Sequence, residues 1–198
     1  MPTPSGTEPS RSGPSRAGPL ARRRRHAWLP AILAELIADC AQAAGEVYRQ
    51  LAEAPPTQPD VPVRLGLPAG LSRSASARVD AARARDAERW AATPEPEEVP
   101  ARATGVPADI GADFLTDLLD DPAQAVERAQ ELAKTGEFTL DQILDEAADT
   151  AVLSGLLSLH EAERQSDPST AAAKCLAAAG HFALAVSVVS VDVPAATP

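Results

Sequence analysis

Helix boundaries are marked repeatedly in the second half of the chain, and these marks constrain its fold more than any other feature. Asp121 followed by Pro122 is a typical helix start, because the aspartate can accept hydrogen bonds from the first turn. Thr139 and Gln142 have the spacing of a capping box, and Gly136, a typical helix stop, lies just before them. This punctuation predicts helices at about residues 110–120, 122–135, 140–165 and 168–189.

The last of these helices is predicted to start near Asp167, and its end is open. Beyond Ser187 the valine-rich sequence is also compatible with a strand, because β-branched residues favour extended backbone. The chain as a whole favours helix, since it has only two Trp, one Tyr and three Phe and takes most of its apolar content from Ala, Leu and Val. Four helices joined by short loops predict an all-α fold, a small helical bundle.

The first half of the chain alternates between helical and proline-rich segments. Apolar residues from Leu29 to Leu51 recur at spacings of three and four, which predicts one amphipathic helix ahead of the bundle. The Pro-, Ser- and Gly-rich start of the chain cannot bury enough apolar surface to fold, so we expect disorder there. The predicted organisation is a disordered basic tail at 1–26, the amphipathic helix at 27–53, a Pro-rich linker at 54–73, an Ala- and Arg-rich helix at 74–92, an acidic Pro-rich linker at 93–106 and the acidic helical bundle at 107–193.

The two halves of the chain carry opposite net charge. Residues 1–90 hold 13 Arg against 9 acidic residues, whereas residues 91–198 hold 5 basic against 19 acidic residues. This asymmetry bears on partners rather than on fold. A basic run can bind the acidic half of the chain or of a second copy, a nucleic acid, or, as the least favoured option, an anionic membrane surface. The run consists of Arg22, Arg23, Arg24 and Arg25.

No catalytic, cofactor-binding or metal-binding pattern is recognisable in the sequence. Asp141, Asp145 and Asp149 recur at every fourth position, but a hard cation needs more oxygen ligands, so we interpret them as a solvated acidic face. Cys175 and His181 are six residues apart and point to different sides of one helix, which disfavours a nucleophile and base pair. The sequence therefore predicts no catalytic residue, no cofactor and no metal.

Cysteine content and hydropathy bear on the compartment. Cys40 and Cys175 are far apart in helical contexts, and we expect two buried thiols in a reducing, cytoplasmic environment rather than a disulfide framework. The apolar stretch at 175–189 is shorter than the roughly 20 residues that cross a bilayer, so no transmembrane span is predicted.

The leading hypothesis is a non-enzymatic adaptor or regulatory protein that acts by helix packing on a protein partner or on a second copy. It depends on the expectation that the apolar stripe of the first helix lacks a partner within the chain. A nucleic-acid accessory protein that uses the basic run and an enzyme with an interhelical site remain as alternatives. The predicted partner-binding residues are Leu29, Ile32, Leu33, Leu36, Ile37, Val47, Tyr48 and Leu51.

Overall fold

The protein folds as an all-α bundle, as the sequence predicts. The computed structural model describes residues 28–53, 67–91 and 106–191, and within these ranges 87% of the residues are helical and no strand occurs. The helices of the described ranges are α1 (Leu29–Glu53), α2 (Leu71–Ala91), α3 (Ala108–Asp120), α4 (Pro122–Lys134), α5 (Leu140–Glu163) and α6 (Pro168–Ser190).

The predicted start signals in the second half form the expected caps. The Asp121 carboxylate accepts hydrogen bonds from the backbone N–H groups of Ala123 and Gln124, at 3.0 and 3.2 Å. Thr139 and Gln142 form the reciprocal capping box, with the Thr139 N–H donating to Gln142 Oε1 at 2.8 Å. These caps satisfy donors that the first turn of a helix leaves without intrahelical partners.

The last helix resolves the ambiguity at its end. Asp167 Oδ2 accepts from the Thr170 N–H at 2.7 Å, and the helix then continues through Ser190. The strand alternative therefore fails for residues 187–190, while residues 192 and 193 lie outside the described ranges. Packing of this helix against the core outweighs the strand preference of its valines, because Val188 is fully buried.

The antiparallel pair of α5 and α6 forms the centre of the bundle. Glu161 pairs with Lys174 near the short connection, and Gly155 lies against the ring of Phe182 farther along both helices. Half of the 16 buried residues of these two helices are alanines, which allow the two backbones to approach closely. The buried alanines of this pair are Ala147, Ala148, Ala151, Ala162, Ala171, Ala172, Ala178 and Ala185.

The other helices cover this central pair. Helix α1 packs along α6, and α2 contacts both α1 and α5. Helix α3 packs on α5, where Gly111 lies against Glu146 and Ala147, and α4 packs against α3 and α5. Helix α1 is thus a member of the bundle, where the sequence had placed it as a separate element ahead of the bundle.

Helix α6 is long and apolar enough to cross a membrane, judged by length and composition alone. It has 23 residues and an 18-residue window of mean hydropathy 1.7, of which 33% is buried in the bundle. The apolar stretch predicted from the sequence, residues 175–189, was too short because the alanines before Cys175 extend it toward the start of the helix. A core helix that packs on two neighbours meets the same criterion, since it needs apolar residues on more than one side.

Replacing Gly155 with alanine should destabilise the protein. A Cβ atom at this position would lie 2.4 Å from Phe182 Cε1, and the Phe182 ring is fully buried and cannot move aside freely. We expect Gly155→Ala to lower the free energy of unfolding by about 1–3 kcal/mol in urea titrations.

Gly45 on α1 provides the matched control for this substitution. It is exposed, and a Cβ atom there would meet nothing within 4 Å. Gly45→Ala should therefore raise the free energy of unfolding by about 0.5–1 kcal/mol through helix propensity alone. Equal effects of the two substitutions would show that α5 and α6 do not approach as closely as described.

Candidate functional site

The solvent-facing side of α6, called here the outer face, differs from the exposed side of every other described helix. None of its residues is charged, whereas each of the other five helices exposes at least one charged residue. Lys174, whose side chain is 37% exposed, borders the face and pairs with Glu161. The largest exposed side chain of the face, Leu176, retains 44% of its accessible surface. The outer face consists of Ala173, Leu176, Ala177, Gly180, Ala183 and Ser187.

The position of α6 in the bundle explains why its inner sides are apolar, but it does not explain why its outer face is uncharged. The inner sides of α6 must be apolar because they bury Cys175, Phe182 and Val188 against α1 and α5. Nothing in the core requires the opposite side to be uncharged. A contiguous apolar patch larger than about a few hundred Å² can mark a contact with another molecule, and side chains as small as Ala and Gly let that molecule approach the backbone closely.

A second apolar area lies on α5. Leu153 and Leu157 are 51% and 63% exposed, one turn apart. Both positions lie on the side of α5 opposite to Gly155, which contacts α6, so this pair is separate from the outer face of α6. The exposed His160 on the next turn adds a polar group to this area.

Arginines of α2 connect it to two neighbouring helices. Arg78 bonds Asp39 at 2.6 Å and also pairs with Glu35 of α1, and hydrogen bonding to Asp39 raises the pKa of Arg78. Arg83 bonds Asp149 of α5 at 2.6 Å. These pairs link α2 to α1 and α5, although such partly exposed pairs contribute only about 0.2–1 kcal/mol each.

The predicted acidic face of α5 is only partly open to solvent. Asp149 is exposed and paired with Arg83, while Asp141 and Asp145 are half-buried. Within the described ranges, no group of three or more His, Cys, Asp or Glu side chains is arranged to hold a metal ion. Glu146, beside Gly111 of α3, has a pKa above its ordinary value because burial and then the nearby charge of Asp149 disfavour its ionised form.

A cavity of about 330 Å³ lies between the start of α2 and the turn that joins α5 to α6. Glu163 and Gln165 are its polar side chains. The Glu163 carboxylate already accepts from the Ser72 N–H at 2.9 Å and from Ser72 Oγ at 2.5 Å. Glu163 thus acts as a cap for α2, which explains why this helix begins at Leu71, three residues before the predicted start at 74.

The predicted partner-binding stripe of α1 is mostly covered by the chain itself. The expectation of an uncovered stripe was wrong because α6, which the sequence leaves without an obvious apolar side, supplies the covering surface. Tyr48 keeps 40% exposure and remains accessible. Of the other stripe residues, Leu29, Leu33, Leu36 and Val47 are buried, and Ile32, Ile37 and Leu51 are partly buried against the core.

Some of the remaining predicted sites lie within the described residues and some lie outside them. Cys40 and Cys175 are free and buried, as predicted, and His181 is half-buried on α6. The basic run at Arg22–Arg25 lies outside the described residues, so polyanion binding there stays a prediction. Comparison with protein-family models, curated proteins and solved structures finds no match for the chain.

Replacing Glu146 with glutamine should make the protein more stable at neutral pH. Because the folded-state pKa of Glu146 is raised above its ordinary 4.5, its contribution to stability is present below pH 4.5 and is lost as the pH rises through the folded-state pKa. Glu146→Gln removes this loss. Urea unfolding should give the variant the higher free energy of unfolding at pH 7, with a smaller advantage near pH 4.5.

The exposed Glu127 on α4 offers a control with the same change in charge. Glu127→Gln should not reproduce the pH-dependent gain. A gain from Glu146→Gln that is the same at both pH values would contradict the assignment of a raised pKa to Glu146.

Proposed function

We propose that this protein is a non-enzymatic adaptor or regulatory protein that acts by helix packing, and that the outer face of α6 is its docking surface. The observation that supports the proposal is the lack of charge on this one exposed helix face, in a chain where 23% of the residues are charged. A charge-free face of small residues gains free energy when another apolar helix removes it from water.

The occupant that best fits the outer face is the same face of a second copy. Two-fold symmetry brings identical surfaces together, and a surface without charge does not repel its own copy at contact. The net charge of −10 lies elsewhere on the protein, where it slows association without acting at the interface. Gly180, midway along the face, allows two helices to cross closely.

The size of the face supports a weak, reversible dimer. A helix of 23 residues is about 34 Å long and about 10 Å wide, so one side of it offers an area on the order of 340 Å². This area is smaller than the roughly 800 Å² per partner of a standard interface. Sides of α1 and α5 next to the face must add area. We therefore expect a dissociation constant in the micromolar range or weaker, typical of regulatory contacts.

The competing classes of function have less support among the described residues. An enzyme needs a pocket with several converging polar groups, and the main polar group at the cavity beside α2 is already engaged by Ser72. Nucleic-acid binding depends on Arg22–Arg25, outside the described ranges. Insertion of α6 into a membrane would require it to leave both α1 and α5 and would break the pair of Lys174 with Glu161.

Sedimentation velocity at about 1–200 µM tests the proposal, because this range brackets a micromolar dissociation constant. The sedimentation coefficient of the unmodified protein should rise with concentration. Gly180→Arg should remain monomeric, since it places a charge at the middle of the face, while an added Cβ atom meets nothing within 4 Å and leaves the fold intact. The added positive charge also lowers the overall repulsion, so loss of association cannot be due to net charge.

Gly45→Arg is the matched control, because Gly45 is an exposed helical glycine with equally open surroundings. It should associate like the unmodified protein. Monomeric behaviour of all three proteins would contradict the proposal. Flotation with lipid vesicles supplies the other arm: binding of the unmodified protein that Gly180→Arg abolishes, without self-association, would assign the face to a membrane instead.

A further inference from the structure

Two cysteines that are far apart in sequence lie next to each other in the core. Cys40 of α1 and Cys175 of α6 are separated by 135 positions, and the Cys175 thiol donates a hydrogen bond to the Cys40 carbonyl oxygen at 3.4 Å. Their relative exposures are 1% and 0%. Both are free thiols, so the contact between α1 and α6 contains two reduced sulfur atoms in one apolar environment.

Burial in the closed bundle shields both sulfur atoms from reagents. The neighbouring Cys175 thiol and burial raise the pKa of Cys40, which keeps it in the unreactive thiol form at neutral pH. A reagent must also reach the sulfur atoms through the contact between α1 and α6. Oxidation therefore requires a local opening in which α1 moves away from α6.

We propose that Cys40 and Cys175 are a redox modification site, at which a low-molecular-weight disulfide converts the two thiols into a disulfide that covalently links α1 to α6. A juxtaposed pair has a chemical outcome that a single buried cysteine lacks, because the second thiol is positioned to resolve a mixed disulfide within the same molecule.

The reaction balances with the low-molecular-weight disulfide as the only oxidant. One cysteine thiolate attacks its S–S bond, forms a mixed disulfide and releases the first small thiol. The thiolate of the other cysteine then attacks the protein sulfur of that mixed disulfide and releases the second small thiol. The protein loses two electrons and two protons, and both appear on the two released thiols.

The disulfide would raise the stability of the bundle and would leave the exposed surface of α6 unchanged. It closes a loop of 135 positions, and long loops give large reductions in the entropy of the unfolded chain. The outer face of α6 lies on the opposite side of the helix from Cys175, which is buried, so oxidation leaves that face available. This inference is thus independent of the proposed function, and Gly180→Arg should oxidise like the unmodified protein.

Incubation of the folded protein with oxidised glutathione tests the inference. After denaturation and alkylation, mass spectrometry should find an intact monomer that has lost two hydrogens and gained no alkyl group. Its unfolding temperature should be about 5–10 °C higher than that of the reduced protein, and dithiothreitol should reverse both changes.

Cys40→Ser and Cys175→Ser are the controls, because each leaves a single thiol that cannot form the internal bond. Neither should show the temperature rise. If either variant folds poorly, the mass and the unfolding temperature of the unmodified protein are sufficient to decide the outcome. Thiols that remain free, that each carry glutathione, or that form only disulfide-linked dimers would overturn the inference.

Discussion

The close approach of α5 and α6 is the contact on which the rest of the bundle depends. Gly155 provides the space for the buried ring of Phe182, and alanines make up half of the buried residues of the two helices. Small side chains bury little area each, so the stabilisation comes from the length and closeness of the pair rather than from large side chains. The remaining helices pack on the surface of this pair.

Helix α6 contacts two neighbours, and this explains its unusual composition. It packs along α5 on one side and α1 on another, so apolar residues occupy much of its circumference. The outer face extends this apolar character to the side where no described helix lies. The same feature gives α6 a length and a mean hydropathy that would suit a membrane-spanning helix.

Features set by nearby residues could be predicted from the sequence, and features set by distant ones could not. The caps at Asp121, Thr139 and Asp167 involve atoms two or three residues apart, so the spacing of residue types was sufficient. The start of α2 was placed too late because its cap comes from Glu163, 91 positions away. The cover of the α1 stripe was missed because alanines around α6 give no periodicity that indicates which sides are buried. The recurrence of uncharged residues at 173, 176, 180, 183 and 187 was the available signal for the outer face.

Hydrogen exchange measured by mass spectrometry tests most directly whether the α5 and α6 pair is the centre of the fold. If it is, the backbone amides around Gly155 and Phe182 should exchange only through global unfolding and should be the slowest in the described chain. The amides of the peripheral α4 should exchange faster through local opening. Exchange around Phe182 as fast as that in α4 would contradict the central position of this pair.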